Sequence, residues 1–322
     1  MIVGNINNIC LMRSRRLKSA AMKALRPLLL AAGLLCAGLA LAQTAPEAAL
    51  PQVGFSIVKS GSLKVREGLV YSGGSFGTEV DTVFSAILVK HGTEYLLFDT
   101  GLGERIAQQY EQDMPKLQRL LFKRPEPSVS AKSQLAAAGI PPVAKIVLSH
   151  SHWDHASGIT DFPGTPVLVA QEELDVIRKP SGAIGAPWPS QVGDAGIRWQ
   201  AIPFEARPYE GFERSFDLYK DGKVVLVAMG GHTPGSVGLF LTVDSGRRYF
   251  FVGDVVWSAA ALKDGSPKFW LARRRVDHDV DATQRAIEQI RAAMKNVPGL
   301  TVVPAHDGPV QNALGYFPAW QR

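Results

Sequence analysis

Short apolar runs separated by glycine and polar turns recur along most of the chain. Runs rich in β-branched and aromatic residues predict strands, whereas apolar residues spaced three and four positions apart predict helices. The predicted strands cover residues 55–59, 82–90, 94–98, 145–148, 223–228, 237–243, 249–252 and 301–304. Because strand pairs come first and last with helices between them, we expect an α/β fold in which helices cover two sheets.

Two helices are predicted from their start and stop signals and from the spacing of their apolar residues. Ser130 is a suitable N-cap for a helix over 131–138, and Gly139 follows as a stop signal. A second helix is predicted over 281–294. Its expected apolar face consists of Ala286, Ile287, Ile290 and Met294. Residues 104–128 are expected to form a helical flap.

The first 42 residues have the pattern of a secretory signal peptide. A positively charged segment precedes an apolar run over 28–39, which is short for a membrane span. Ala-Leu-Ala at 40–42 follows as a small-x-small cleavage site, so we expect cleavage after Ala42. The chain is then expected in the bacterial periplasm or outside the cell, without a stable membrane anchor. A lipid-modified Cys36 and an uncleaved anchor are the alternatives.

Charge and cysteine usage look different once residues 1–42 are set apart. The 322 residues contain 35 Lys and Arg against 29 Asp and Glu, which gives a formal charge of +6. Six of these cations precede residue 43, so 35 − 6 = 29 cations balance 29 anions and no nucleic-acid partner is predicted. Both cysteines, Cys10 and Cys36, also precede it. The predicted mature chain therefore has no thiolate nucleophile or thiolate metal ligand.

Three of the seven histidines lie in the motif His-Ser-His-Trp-Asp-His at 150–155, which closely follows a predicted strand. On an extended or tightly turning segment, His150 and His152 can point to one side. Asp154 and His155 can then reach a second point nearby. Neutral imidazoles and a carboxylate suit Zn²⁺ or a similar divalent metal. This density of imidazoles favours a metal site over a polar loop.

Three further polar residues follow predicted strands in the same way. His232 lies in a Gly-Gly-His-Thr-Pro-Gly turn, Asp254 follows Phe-Phe-Val-Gly, and His306 follows the last predicted strand. Loops at strand ends gather side chains at one rim of a rigid scaffold. We therefore expect all three residues to join the histidine motif in one metal site.

This order of motifs resembles the metallo-β-lactamase superfamily, and the resemblance covers nearly all of residues 54–310. It implies a four-layer αββα sandwich in a single domain over 54–322, preceded by a linker over 43–53, with two metals at the rim between the sheets. Leu-Phe-Asp-Thr-Gly at 97–101 resembles an early motif of that family. By that resemblance Asp99 supports the ligands without binding a metal itself.

The resemblance also implies how seven ligands divide between two divalent metal ions. The first metal would be bound by His150, His152 and His232, and the second by Asp154, His155 and His306. Asp254 would bridge the two metals, with a water or hydroxide as the second bridge. The metals are expected to be zinc, with iron or manganese as alternatives.

The implied activity is hydrolysis of an ester, lactone or related acyl bond in a small-molecule substrate by the bridging hydroxide. Asp154 and Asp254 are the implied catalytic carboxylates, and Asp154 either carries a proton or acts only as a ligand. The bridging Asp argues against a true β-lactamase, and the motif spacing is most similar to the N-acyl-homoserine lactonase and glyoxalase II branches. A thioesterase, a sulfur dioxygenase, a phosphotriesterase and a non-catalytic binding protein are the alternatives.

Three positions near the motifs bear on specificity. In the lactonase branch a Tyr commonly stands three residues after the bridging Asp, but Trp257 stands there in this chain. Trp257 is therefore a candidate substrate-binding residue, and its presence predicts poor hydrolysis of homoserine lactones. His278 is a candidate pocket residue, but we favour the interpretation that it caps the helix over 281–294. The arginines at 273–275 could face an acidic substrate, but we favour the interpretation that they face solvent.

Overall fold

Two β-sheets organise the part of the chain that the computed structural model describes, residues 50–120 and 122–322. The strands of the first sheet are, in spatial order, β1 Val53–Arg66, β2 Glu79–His91, β3 Glu94–Phe98, β4 Lys145–Val147, β5 Pro166–Val169 and β6 Arg198–Ala201. The strands of the second sheet, again in spatial order, are β7 Ser215–Asp217, β8 Val224–Ala228, β9 Val237–Thr242, β10 Arg248–Phe251 and β11 Thr301–Val303. The predicted signal peptide and residues 43–49 of the predicted linker lie outside the described residues, and Val53 of that linker begins β1.

Helices connect the strands and cover the outer faces of the sheets. They are α1 Glu67–Val70, α2 Ile106–Asp113, α3 Ala131–Ala137, α4 Trp153–Ala156, α5 Gln171–Ile177, α6 Pro189–Val192, α7 Trp270–Val276, α8 Val280–Asn296 and α9 Gly308–Leu314. Three short 3-10 turns span Gln118–Leu120, Ile159–Asp161 and Ala259–Lys263. None of the helices within the described residues is long and apolar enough to cross a membrane.

The two sheets pack face to face, and their facing side chains form the central core. Phe55 of β1 meets Tyr249 and Phe251 of β10 edge-on, with ring centroids 4.7 and 5.0 Å apart. The outer face of the first sheet packs against α3, α5 and α6, and that of the second against α8. The layer order is therefore helix, sheet, sheet, helix, which confirms the predicted αββα sandwich.

β1 extends well beyond the predicted strand over 55–59. Ser60 and Gly61 interrupt the apolar run, yet pairing with β2 continues to Arg66 after a shift in register between Lys59 and Gly61. Such a bulge accommodates an irregular residue while the ladder of hydrogen bonds goes on. The predicted end of this strand is therefore wrong, because pairing with the long β2 outweighs the local turn signal.

Both predicted helices are present, with one correction to the apolar face of the second. Ser130 caps α3, where its hydroxyl accepts a hydrogen bond from the backbone N–H of Ser133 at 3.0 Å. In α8, Met294 is 40% exposed, whereas its neighbour Ala293 is fully buried. The packed face of α8 therefore ends on Ala293, because the small side chain fits against the sheet. The predicted flap over 104–128 contains α2 and the first 3-10 turn.

Strand directions bring the candidate ligands to one rim. β3 and β4 are parallel, so Asp99 and His150 emerge at the same edge of the first sheet. In the second sheet β8 and β10 both run antiparallel to β9, and β11 runs parallel to β10. The loops that carry His232, Asp254 and His306 therefore emerge together as well. The rim lies where these two edges meet.

Candidate metal centre

All seven predicted ligands lie in one buried cluster at this rim. Three overlapping groups each have potential ligand atoms within 4.8 Å of one another. The groups are His150, His152 and His232; His150, His155 and Asp254; and Asp154, His155 and His306. The first and third groups match the two ligand sets that the resemblance implied, and Asp254 lies between them.

The motif at 150–155 divides into two parts because of its backbone. His152 has extended backbone angles and precedes the first turn of α4, so His150 and His152 both lie in the segment before the helix. Asp154 and His155 are in the first turn of α4 and turn away from that segment. His150 and His152 therefore face His232, with ring centroids 4.6 Å away in both cases. Asp154 Oδ2 instead lies 3.2 Å from His306 Nε2.

Asp99 contacts the histidine motif through its side-chain carboxylate. Its backbone has a φ of 60°, a rare conformation for a residue with a side chain, and its carboxylate is buried. Oδ1 accepts the backbone N–H of Ser149 at 2.7 Å, and Oδ2 contacts Nδ1 of His155 at 2.8 Å. With Nδ1 engaged in this way, Nε2 of His155 faces the centre of the cluster. Asp99 thus contacts His155 from outside the three groups of potential ligand atoms.

Two glycines allow the ligand loops to approach their neighbours. Gly231 has a φ of 151°, and a Cβ there would lie 2.5 Å from the backbone nitrogen of Thr283. Gly253 has a φ of 51° and lies against Ser149, with a Cβ position 3.0 Å from the Ser149 side chain. A larger residue at either position would push His232 or Asp254 away from the cluster.

Glu173 is a supporting residue that the sequence analysis missed. Its fully buried carboxylate accepts the backbone N–H of Ser151 at 2.8 Å and the hydroxyl of Thr233 at 2.7 Å. It also accepts the backbone N–H of Gly235 at 3.2 Å. Glu173 therefore connects the loop that carries His150 to the loop that carries His232. No motif marks it, since its partners are distant in the sequence.

A buried Lys–Asp pair supports His232 and was also missed. Asp277 Oδ1 lies 2.7 Å from Nδ1 of His232 and 2.7 Å from Nζ of Lys268. The side chains of Lys268 and Asp277 are 1% and 2% exposed. Burial opposes ionisation of Asp277, but Lys268 and His232 together hold its pKa below the ordinary value. The carboxylate therefore accepts Nδ1–H of His232 and directs Nε2 into the cluster.

The imidazoles of the first group have lowered pKa values. Burial lowers the pKa of His152 to about 3, and the neighbouring His232 adds to this shift. Burial and the surrounding imidazoles hold the pKa of His150 well below its ordinary value. Burial and Lys268 lower the pKa of His232 despite the carboxylate of Asp277. All three imidazoles are therefore neutral near pH 7, the form that binds a metal.

In the second group, nearby carboxylates outweigh burial and raise the pKa values of the imidazoles. Burial opposes a charge on His306, but Asp254 and Asp154 raise its pKa to about 10. Burial likewise opposes a charge on His155, yet Asp99 and Asp254 raise its pKa well above the ordinary value. The pKa values of Asp154 and Asp254 are lowered in turn, because the charges of His155 and His306 outweigh the effect of burial.

Several atoms in the cluster have geometry that suits a bound cation. Among the described residues, His155 Nε2 and Asp254 Oδ1 are buried and lie 3.2 Å apart as an ion pair, yet neither atom has a partner with hydrogen-bond geometry. Nε2 of His232 lies only 3.1 Å from Nε2 of His150, so two ring nitrogens face each other. Unsatisfied buried donors and acceptors are costly, and a metal ion would satisfy both sets of atoms. Imidazole and carboxylate ligands without thiolates fit zinc as well as iron or manganese.

An apolar cavity of about 260 Å³ opens onto the cluster. His152, Asp154, Asp254 and His306 line its inner end. Most of its remaining wall is apolar and includes Leu63, Phe84, Phe122, Ile184, Leu271 and Val276. Lys123 and Arg275 line it as well, and both residues are exposed to solvent. The cavity therefore combines a polar inner end, apolar walls and cations at its open side.

Trp257 forms part of this wall, whereas His278 does not. The indole N–H of Trp257 donates a hydrogen bond to Asp254 Oδ2 at 2.8 Å, which holds the ring against the cluster. His278 is exposed, and the residue that caps α8 is Asp279, whose carboxylate accepts two backbone N–H groups. Both predicted roles of His278 are therefore wrong. Of the arginines at 273–275, only Arg275 lines the cavity.

An αββα sandwich that gathers buried His and Asp side chains at the rim between its sheets defines a metal-dependent hydrolase. The chain belongs to the metallo-β-lactamase superfamily, whose family model matches residues 83–306. Hydrolases of this superfamily bind divalent metals through clusters of this kind.

Curated relatives include lactonases and thioesterases. N-acyl homoserine lactonase AttM from Azorhizobium caulinodans is 23% identical over 268 residues, which cover 81% of this chain and 97% of that protein. Human acyl-coenzyme A thioesterase MBLAC2 is 27% identical over 225 residues, which cover 66% of this chain and 71% of that protein.

Solved structures share the fold at lower identity. An N-acyl homoserine lactone hydrolase with the product N-hexanoyl-L-homoserine at its catalytic metal centre has a TM-score of 0.62 and 17% identity, over 83% of this chain and 98% of that chain. The dizinc lactonase AidC has a TM-score of 0.54 and 16% identity, over 80% and 88% of the two chains.

Proposed function

We propose that this protein is an exported, two-metal hydrolase that cleaves esters or lactones with an apolar acyl group. The observation that carries the proposal is the apolar cavity whose inner end is the ligand cluster. Its volume of about 260 Å³ is close to the lower end of ligand pockets, about 300 Å³. A small acyl substrate is therefore a better match than a polymer. The similarity to lactonases and to a thioesterase supports an acyl bond as the target.

The seven clustered residues divide naturally between two metals. One metal would be held by His150, His152 and His232, the other by Asp154, His155 and His306, and Asp254 would bridge them. When bound, such metals lower the pKa of a coordinated water from about 15.7 to about 7 and polarise a carbonyl oxygen. Metal analysis after reconstitution with excess zinc should give two metals per chain. One metal or none per chain would contradict the assignment.

Asp154 is the carboxylate best suited to move a proton. It lines the cavity, and His155 and His306 keep its pKa low despite burial, so it is ionised near pH 7. From this position it can accept a proton from the attacking water and return it to the leaving oxygen. Asp254 is less suited to this task, because Oδ2 accepts the Trp257 N–H and Oδ1 is fully enclosed.

A series of aryl esters from acetyl to decanoyl tests the acyl-group preference. kcat/KM should rise with chain length until the cavity is filled, because each added methylene leaves water for apolar walls. Leu271→Trp narrows the cavity and should lower the ratio of decanoyl to acetyl turnover. Equal kcat/KM for all chain lengths would contradict an acyl-binding role for the cavity.

A thioester is the second candidate substrate, and two observations favour it. The chain is similar to an acyl-coenzyme A thioesterase, and Lys123 and Arg275 place positive charge at the open side of the cavity. An anionic leaving group would be attracted to these cations. A lactone, an aryl ester and a coenzyme A thioester with the same acyl chain separate the candidates. Preference for the thioester, lost in Arg275→Glu, would favour the second.

Export is part of the proposal and has a separate test. The apolar run over 28–39 and the Ala-Leu-Ala at 40–42 support removal of the leader. N-terminal sequencing of protein from the periplasm or medium should start near Gln43. A lipid-modified protein that starts at Cys36, or one that keeps its leader, would contradict this part while leaving the hydrolase assignment intact.

A further inference from the structure

Exposed apolar side chains are concentrated around the mouth of the cavity. Nine large hydrophobic residues of the described chain are exposed, and five of them belong to the segments that wall this cavity. We name these five the mouth surface: Leu69, Phe76, Leu117, Leu120 and Trp270. Single exposed hydrophobic residues are ordinary, but a group beside a binding cavity indicates an interaction surface.

Each of these five residues lines the cavity, lies close in sequence to a lining residue or has a ring contact with one. Leu69 lines the cavity itself, and Leu117 and Leu120 flank the lining residue Gln118. Phe269, another lining residue, connects the other two. Its ring centroid is 6.1 Å from that of Phe76 and 5.7 Å from that of Trp270.

The exposure of these side chains is high for their size. Leu117 and Leu120 are 81% and 74% exposed, and Phe76 and Trp270 are 59% and 52% exposed. Leu117 and Leu120 make no contribution to the core clusters of the described residues. They therefore contribute nothing to folding that would explain an apolar side chain at these positions.

The same segments carry positive charge that the described chain does not neutralise. Lys116, Lys123, Arg274 and Arg275 are exposed and form no ion pair within the described residues. Arg119, by contrast, is paired with Glu111. Unpaired cations next to exposed apolar side chains match a surface that offers both negative charge and hydrocarbon.

We propose that the mouth surface binds reversibly to an anionic lipid surface, with the open side of the cavity facing the lipid. The apolar residues would enter the boundary between headgroups and acyl chains, while the four cations contact anionic headgroups. An acyl substrate dissolved in the lipid would then reach the cavity without crossing water. The proposal goes beyond the hydrolase function, because this binding does not depend on turnover.

Charge also distinguishes this occupant from a second copy of the chain. A two-fold dimer through the mouth surface would place the same patch against itself. Lys116, Lys123, Arg274 and Arg275 would then approach the same four cations of the other copy. Such like-charge contacts are costly in an interface. The same four cations would attract an anionic surface but would repel a second copy of the chain.

Vesicle co-sedimentation tests the proposal with the protein as isolated from the expressing cell. Vesicles of phosphatidylcholine alone are compared with vesicles that also contain phosphatidylglycerol. Binding should be at least about tenfold stronger on the anionic vesicles, since four cations near such a surface are attracted to its headgroups. High salt should weaken it, because screening shortens the range of these charges. Absence of binding to anionic vesicles would overturn the proposal.

Matched variants show whether the mouth surface is responsible. Leu117→Asp and Leu120→Asp should each weaken vesicle binding by about tenfold or more, because an exposed leucine loses its transfer into hydrocarbon. Met294→Asp adds the same charge at an exposed apolar position on α8 and should bind like the parent. Parent and variants have the same N-terminus, whether or not the leader is removed, so a difference in binding between them reports on the substituted position. Equal binding by Leu120→Asp and the parent would overturn the assignment.

Two parallel measurements separate other outcomes. Sedimentation equilibrium reports the oligomeric state. A dimer that Leu120→Asp converts to a monomer would show a mouth surface used between copies and would overturn the lipid proposal. Turnover of a soluble acetyl ester tests the hydrolase function on its own. An inactive protein that still binds anionic vesicles would contradict the proposed function and leave the lipid proposal standing.

Discussion

The two halves of the candidate metal centre use similar side chains in opposite electrostatic surroundings. His150 and His155 have ring centroids only 4.0 Å apart, yet the pKa of His150 is lowered and that of His155 is raised. Burial is similar in both halves. The difference comes from the neighbouring ionisable groups, which include other imidazoles and Lys268 in the first half and are mainly carboxylates in the second.

This difference determines whether each half must release protons when it binds a cation. The imidazoles of the first half are neutral near pH 7, so a metal can bind without displacing a proton. In the second half, His155 and His306 pair with Asp99, Asp154 and Asp254, and the cluster is stabilised before any metal arrives. A metal there must replace protons. The two halves should therefore differ in the pH dependence of metal binding.

The largest effect is expected from the carboxylate that belongs to both halves. Asp254→Ala removes the group that offsets charge between two cations, so most turnover and at least one metal should be lost. We expect kcat/KM to decrease by more than about 100-fold. That factor is the largest loss typical of residues that support a metal ligand without binding the metal. Metal content and kcat/KM are the measurements. The exposed His278→Ala is the control, and full turnover with two metals in Asp254→Ala would refute the bridging role.

Asp277 and Asp99 allow each half to be weakened separately. Asp277→Asn alters the partner of His232, and Asp99→Asn alters that of His155, so each should weaken one metal by about 10–100-fold. Competition with a chelator measures the two affinities. If either variant weakens both metals equally, the two halves act as one unit and the comparison fails.

Trp257 tests how the cavity meets the bridging carboxylate. Trp257→Tyr replaces an indole, which can only donate, by a smaller ring with a hydroxyl group. Activity on acyl-homoserine lactones should rise about tenfold, well below the 10²–10³ of an oxyanion donor, because the metals already polarise the carbonyl. Aryl ester turnover should fall. Efficient lactone hydrolysis by the parent, unchanged in the variant, would refute a specificity role for Trp257.

The pH dependence of the metal-free protein is the smallest effect and separates the halves directly. His306 has a raised pKa of about 10. Its contribution to stability is therefore complete below pH 6.5 and is lost as the pH rises from 6.5 towards 10. His152 has a lowered pKa of about 3, so unfolding takes up its proton and stability falls as the pH drops from 6.5 towards 3.

Thermal melts after chelation measure this profile. The Tm should be highest near pH 6.5 and decline by a few degrees on each side. In His306→Gln the decline on the alkaline side should shrink, while the acid side is preserved. An alkaline decline of the same size in His306→Gln would refute the charged state assigned to the second half.

The sequence by itself determined the candidate ligands and the class of fold. Metal ligands need particular side chains, and a motif such as the one at 150–155 has few other uses. Its position after an apolar strand also predicts a rim site, because loops at strand ends place side chains at the edge of a sheet. Helix limits were predictable where caps are local, as Ser130 shows for α3.

Only the tertiary structure decided how the site is supported and charged. Glu173 and Lys268 carry no motif, and each acts on partners from other parts of the chain. His278 was chosen from the sequence, yet its neighbour Asp277 holds His232. The opposite protonation of His150 and His155 has the same origin. Burial and charge depend on which groups meet in space, and residues far apart in sequence bring them together.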